Sequence, residues 1–269
     1  MTEQNTKSGV AIVTGATGGM GSATARELSA QGWPLILCDL DAGRLEAVAA
    51  PLRSGGRQAE ILAGDVADPA FPDRLAAILA DRPIGAVVHA AGLSPTMAEP
   101  DRILAVNYDA TARLVELIRP RMAQGSCAVL ISSSSAYDAT SPEIDTAIKA
   151  IGPGGDSSSL LKLASNSGYA YMISKRGVQL IVEQQAPDFG ERGARIMSIS
   201  PGLIDTSMGR QEQKAHPQME VMLTKTPLKR YGTAEEIATV AAFLCSPAAS
   251  FVSGSDIKVD GGVLAVLHW

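Results

Sequence analysis

Val10-Ala11-Ile12-Val13-Thr14-Gly15-Ala16-Thr17-Gly18-Gly19-Met20-Gly21 is the stretch on which the reading of this chain turns. Its first four residues are apolar and mostly β-branched, which predicts a buried strand. The glycines after Thr14 predict a tight turn, followed by a helix from Met20 to Gln31 that Gly32 terminates. Such a turn lets backbone N–H groups approach a pyrophosphate at the positive helix N-terminus. Leu35-Ile36-Leu37-Cys38 reads as a second buried strand ending in Asp39, 20 residues beyond Gly19. A carboxylate there accepts hydrogen bonds from adenosine ribose hydroxyls and repels a 2′-phosphate. Neither Gly18 nor Leu40 supplies a compensating cation, so NAD is expected over NADP. The other reading of Asp39 is a solvated acid at a strand end.

The alternation continues outward from this unit. Leu45 to Arg53 and Ile103 to Met122 read as helices. Glu60–Ala63, Ile84–Val88, Ala128–Ile131 and Arg195–Ile199 read as strands. Continuous apolar strands alternating with helices imply an α/β fold with a parallel sheet covered on both faces. Right-handed crossovers make it a doubly wound, Rossmann-type sheet with ligands at the carboxyl ends of its strands. The 269 residues suit a single domain over 1–269. An apolar content of 46% excludes disorder, collagen and a disulfide scaffold. A net charge of −5 provides no basic stripe for nucleic acid, and no apolar run is long enough to cross a membrane. The start, Met1 to Lys7, lacks the apolar stretch of a signal peptide. Cys38, Cys127 and Cys245 are isolated and odd in number, which suits a reducing, cytoplasmic setting. His216 and His268 have no partners at ligand spacing, so no metal is expected.

One connection is unusually long. Between Ile131 and Tyr169, an insert at about 134–168 carries Gly152-Pro153-Gly154-Gly155 and Ser157-Ser158-Ser159. Ser141 and Pro142 suit a helix start, and Ile144, Ala147, Ile148 and Ile151 then share one face. The insert is either functional or a surface addition packed on the body or on a neighbouring subunit. Thr233 to Glu236 has the form of a capping box ahead of an apolar helix face at Ile237, Val240, Ala241 and Leu244.

Tyr171-Met172-Ile173-Ser174-Lys175 sets a phenol and an ammonium one helical turn apart. A phenol of pKa about 10 acts as a base near neutrality only if its anion is stabilised, by about 4 kcal/mol for a drop of roughly three units. The turn Thr14–Gly21, Asp65-Val66, Ala90-Ala91-Gly92, Asn107, Ile131-Ser132-Ser133, Tyr171–Lys175, Pro201–Thr206 and the ending Val259-Asp260-Gly261-Gly262 occur in one order. Together, over roughly Val10 to Gly262, they resemble the short-chain dehydrogenase/reductase family. Gly15, Gly19 and Gly21 match its short type; Gly15, Gly18 and Gly21 match the extended type, whose C-terminal substrate domain exceeds the length available here.

The resemblance implies an NAD-dependent oxidoreductase acting on a small-molecule alcohol or ketone, in a homodimer or homotetramer. It implies Tyr171 as general acid/base, Lys175 as the group that holds the nicotinamide ribose and lowers the Tyr171 pKa, Ser133 as the donor to the substrate oxygen, and Asn107 as part of a proton relay. It places the cofactor along Gly15, Thr17, Gly19, Met20, Gly21, Asp39, Leu40, Asp65, Val66, Ala91, Gly92, Pro201, Gly202, Ile204 and Thr206, with Tyr171 and Lys175. There are departures. His89 stands where the family has Asn and reads as a packed structural residue. Ser132 and Ser134 compete with Ser133. Ser133 and Tyr171 lie 38 residues apart, a spacing similar to the branch typified by bacterial 3α-hydroxysteroid dehydrogenase/carbonyl reductases. Residues 207–226 are expected to form a mobile lid, in which Met208, Met219, Met222 and Leu223 offer apolar surface to a bulky steroid- or terpenoid-like substrate. A non-catalytic regulator or scaffold that binds NAD and a dehydratase or epimerase are the competing readings.

Overall fold

The strands lie side by side in the order β3-β2-β1-β4-β5-β6-β7, every neighbouring pair parallel, in a computed structural model that describes residues 9–152 and 155–267. They are β1 (Val10–Thr14), β2 (Leu35–Asp39), β3 (Ala59–Ala63), β4 (Ile84–His89), β5 (Met122–Ile131), β6 (Arg195–Pro201) and β7 (Asp256–Val259). The helices are α1 (Gly19–Ala30), α2 (Ala42–Ser54), α3 (Phe71–Leu79), α4 (Pro100–Leu104), α5 (Ala110–Ile118), α6 (Pro142–Ile151), α7 (Ser158–Leu161), α8 (Ser167–Glu191), α9 (Ser207–Ala215), α10 (Gln218–Lys225), α11 (Ala234–Leu244) and α12 (Val263–Leu267). Strand order reverses between β1 and β4, so the crevice beyond Thr14 and His89 is where such a sheet binds ligands. All five residues of β1 are buried, as are all six of β4. One core lies under α4, α5 and α8, built on Ile12, Val87, Leu130 and Ile196. The other lies under α1 and α11, built on Val13, Val88, Val129 and Ile199. Among the described residues no helix is long and apolar enough to cross a membrane, and Cys38, Cys127 and Cys245 are buried.

Two elements differ from expectation. The helix expected over Ile103–Met122 is broken: α4 runs into a π-helical turn at Ala105–Asp109, α5 ends at Ile118, and Met122 already belongs to β5. Pro120 cannot donate a backbone hydrogen bond and sits in the 3₁₀ turn that stops the helix. Strand β7 was not anticipated, because this half-exposed edge strand shows only Ile257 and Val259 as apolar residues. Pro153, Gly154 and His268, all singled out above, lie outside the described residues.

The capping box is present: the Thr233 hydroxyl accepts from Glu236 N at 3.2 Å, and the Glu236 carboxylate accepts from Thr233 N at 2.8 Å. Thr233→Ala should lower stability by about 1 kcal/mol in urea unfolding, without altering the m-value.

The insert packs on the body. Ile144, Ile148 and Leu160 enter the first core, and Ser141 caps α6 as expected. Asp145 on α6 takes a two-pronged ion pair from Arg176 on α8, at 2.9 and 2.7 Å. Asp109 accepts from Ser157 N and Oγ, both at 2.9 Å.

Candidate active site

The glycine turn is shaped by backbone approach. Gly15 has φ +65°, and a Cβ there would lie 2.6 Å from Ala91 N; a Cβ on Gly21 would lie 2.0 Å from Gly15 O. A Cβ on Gly19 would lie 2.7 Å from the Thr206 methyl, whereas one on Gly18 would meet Gly15 O at 3.3 Å. The tight positions are therefore 15, 19 and 21, the short-type pattern. Beyond the turn lies a groove of about 280 Å³ that touches Gly15, Thr17, Gly19, Met20, Gly21, Asp39, Leu40, Asp65, Val66, Ala91, Gly92 and Thr206. Asp39 Oδ2 accepts from Thr17 N at 2.8 Å and Thr17 Oγ1 at 2.7 Å, which ties the end of β2 to the turn. Sequence reasoning missed two cations in this groove. Arg44, on the first turn of α2, donates to Thr17 O at 3.2 Å; Arg102, on α4, pairs with Asp65. Their signal, a cation one turn into a following helix, has no fixed spacing from the glycines.

The end of β4 explains the histidine. His89 is buried between Thr14 Oγ1 at 2.7 Å from Nδ1 and Thr111 Oγ1 at 2.9 Å from Nε2. Burial, with the Lys175 charge adding to it, pushes its pKa down to about 3, so the ring is neutral. Thr111 donates its own proton to Asn107 O at 2.7 Å, so Nε2 carries the ring hydrogen and Nδ1 accepts from Thr14. The imidazole is thus a packed bridge between β1 and the start of α5, just after the π turn at Ala105–Asp109, as its strand-end position suggested.

That turn carries Asn107, whose side chain accepts from Leu93 N at 2.8 Å and donates to Leu93 O at 2.9 Å and Ser174 Oγ at 3.1 Å. Single π turns of this kind recur at functional sites. Helix α8 presses close against it: a Cβ on Gly177 would lie 2.3 Å from the Tyr108 ring. Lys175, on α8, is buried and donates to Ile131 O at 2.8 Å. Burial lowers its pKa to about 8. Its Nζ stands 5.9 Å from the centre of the Tyr171 ring, one turn back on α8.

The neighbouring serines differ in their partners. Ser132 Oγ is committed to Lys175 O at 2.9 Å and Ser132 N to Ile199 O at 2.7 Å. Ser134 is buried. Ser133 Oγ lies 2.9 Å from Ser135 Oγ, lines the same cavity as Tyr171 and favours the anion of its phenol. The phenol itself sits above its ordinary pKa because burial outweighs the hydrogen bond from Ser133, and the charge of Glu212 adds to the rise. The depression expected from Lys175 is therefore not a property of the chain alone: the lysine charge is itself opposed by burial.

A cavity of about 620 Å³ opens on the other side of Tyr171, lined by Ser133, Pro201, Gly202, Ile204, Thr206 and five methionines, Met20, Met172, Met208, Met219 and Met222. Pro201, Gly202, Ile204 and Tyr171, expected at the cofactor, line this cavity; Lys175 lines neither space, but its Nζ would lie 3.2 Å from a Cβ on Gly92 in the groove. Met20, Thr206 and Met208 border groove and cavity alike, so the two are adjacent. Helices α9 and α10 form the wall at 207–226, neither with a fully buried residue. Leu223 does not line it, and neither do α6 and α7.

Comparison with known proteins fits this geometry. The family profile described as short chain dehydrogenase matches residues 9–144, and that described as Enoyl-(Acyl carrier protein) reductase matches 156–264. The chain belongs to the short-chain dehydrogenase/reductase family. It is 28% identical to the 3-alpha-hydroxysteroid dehydrogenase/carbonyl reductase of Comamonas testosteroni, over 96% of this chain and 98% of that one. Among solved structures it is similar to a Brucella melitensis short-chain dehydrogenase/reductase termed glucose/ribitol dehydrogenase (30% identity, TM-score 0.78, covering 96% and 97% of the chains). A blue fluorescent protein from a metagenomic library, solved with NADPH, is 25% identical with TM-score 0.77, covering 97% and 99%. The family is one of oxidoreductases that use nicotinamide cofactors on small molecules and are commonly oligomeric.

Proposed function

We propose that this chain interconverts a secondary alcohol and its ketone with NAD. The single observation that carries the reading is Tyr171, with Ser133 beside it and Lys175 Nζ 5.9 Å from its ring centre, in the wall of an apolar cavity that shares Met20, Thr206 and Met208 with a glycine-cradled groove. The groove suits a dinucleotide: Gly15 and Gly21 leave room for its phosphates at the N-terminus of α1, and Asp39 stands where an adenosine ribose would lie. The bound cofactor supplies the hydride acceptor or donor. Ser133 holds the substrate oxygen, and Tyr171 Oη gives or takes its proton. Lys175 holds the nicotinamide-side ribose hydroxyls and favours the ionised phenol. Asn107, held on the π turn, keeps a route for protons behind Lys175. Thr206 orients the carboxamide, and Asp65 and Val66 contact the adenine.

The methionine-lined volume supports a bulky hydrophobic substrate, steroid- or terpenoid-like, because thioether side chains adapt to irregular apolar shapes. The helices of the insert, α6 and α7, do not line that volume, but its two ends do, at Ser134 and Ser135 and at Asn166 to Gly168. Exposed Leu228, beside Gly261 at the sheet edge, supports association into a homodimer or homotetramer. Three isolated, buried cysteines suit the cytoplasm.

An assay at 340 nm with hydrophobic ketones should show NADH consumption. Tight NADH binding without turnover would favour a regulator, and product formation without net NADH change a dehydratase or epimerase. NADH should be preferred over NADPH. Asp39→Ser should shrink that preference at least ~10-fold by removing the repelling charge and leaving Arg44 to face a 2′-phosphate. A parent enzyme that prefers NADPH would overturn the charge argument.

A further inference from the structure

The apolar cavity contains one carboxylate that neither the cofactor nor the proton transfer requires. Glu212, on α9, has a side chain only 12% exposed. Its Oε1 accepts from Thr96 N at 3.0 Å and from the Thr96 hydroxyl, so the charge is held in place from the loop after β4. Its Oε2 lies 3.5 Å from His216 Nε2. Glu212 borders the same cavity as Ser133 and Tyr171, and its field is felt at the phenol. Among the described residues lining the cavity there is no lysine or arginine.

A second polar group faces this volume without a partner. Tyr231 lines the cavity, and its hydroxyl is buried with no hydrogen-bond partner among the described residues. Burial and the charges of Glu220 and Asp205 keep that phenol protonated. It is therefore a donor in want of an acceptor.

The geometry points to a substrate that is uncharged or cationic and carries a second, neutral oxygen besides the reacting one, with Glu212 repelling anions and Tyr231 donating to that second oxygen. This deepens the oxidoreductase reading and rests on it. A fixed carboxylate in a low-dielectric pocket acts as a repulsive selector, since an anion brought beside it meets an opposing charge with little screening. A site with an unpaired buried donor discriminates in the other direction, against ligands that lack the acceptor. Coenzyme A thioesters, keto acids and phosphorylated sugars fail the first condition; simple hydrocarbon ketones fail the second.

The test uses full-length enzyme with NADH and four aryl ketones of one shape: methyl 4-acetylbenzoate, its free acid, 4′-ethylacetophenone and 4′-(aminomethyl)acetophenone. In the parent, kcat/KM for the ester should exceed that for the acid at least ~30-fold, mainly through KM, with the ammonium compound above the acid by a similar margin. Glu212→Gln, which keeps an acceptor for Thr96 and removes the charge, should bring the ester-to-acid ratio below ~5-fold. Tyr231→Phe should lower the ratio of ester to 4′-ethylacetophenone about 10-fold. An acid used as well as the ester by the parent, or a ratio untouched by Glu212→Gln, overturns the role of Glu212. A ratio of ester to 4′-ethylacetophenone unchanged in Tyr231→Phe overturns that of Tyr231. Should a variant fail to fold, the order of anion, ester and cation on the parent decides the charge question. If no ketone consumes NADH, the oxidoreductase reading fails, and dissociation constants of the same four compounds, from ligand-observed NMR, still decide the charge selection.

Discussion

Tyr171→Phe should lower kcat about 10³-fold, within the range that one positioned general acid/base supplies. The ring and its packing remain, so the dissociation constant for NADH should change less than about 5-fold; the loss belongs to proton transfer and not to binding. Single-turnover absorbance at 340 nm separates the two. In the direction of alcohol oxidation the base must be ionised, so kcat/KM should rise with pH. Burial and Glu212 both hold the phenol above its ordinary value, which places that rise toward the alkaline side. Lys175→Met removes a buried cation 5.9 Å from the ring centre and should displace the rise further upward. A Tyr171→Phe enzyme that turns over like the parent would remove the basis of the catalytic reading.

Gly21→Ala should cost about 3 kcal/mol of stability, because the new methyl group meets only backbone that cannot step aside. A Cβ there would lie 2.0 Å from Gly15 O, 2.7 Å from Gly15 C and 3.0 Å from Ala16 Cα. The turn must open, and the phosphate cradle opens with it. At 2–4 °C per kcal/mol for a chain of this order of size, Tm should fall roughly 6–12 °C. NADH affinity should fall alongside it in fluorescence titration. Gly190→Ala is the matched control. Gly190 lies inside α8 with nothing within 4 Å of the new Cβ, so alanine there should be neutral or stabilising by up to about 1 kcal/mol. Equal Tm losses at the two positions would contradict the steric account.

Where sequence and structure agree, the chemistry is local. Val10–Val13, the glycines behind them and Leu35–Asp39 announce a strand, a turn and a strand without help from the rest of the chain, and the observed boundaries differ by a residue or so. Ser141 and Thr233 read as helix starts for the same reason: a cap involves neighbours three residues away. Tyr171 and Lys175 share a helix face by spacing alone. Disagreements arise where distant segments decide. The helix expected over Ile103–Met122 contains a π turn, closely packed against Gly177, and no residue pattern within the segment encodes that approach. Strand β7 exists because β6 offers it an edge to pair with, at Ser198 to Pro201.

From its residues alone, then, this chain declares a parallel sheet, a phosphate-type turn and a phenol–ammonium pair, since each follows from period, glycine freedom or helical spacing. Tying Ser132 to Lys175 O, bringing Arg44 to the groove, raising the Tyr171 pKa and lowering that of Lys175, and setting Glu212 in the same cavity as the phenol all required the assembled molecule. Burial and partnering depend on which atoms converge from remote positions, and that convergence is a property of the packed core and not of any segment within it.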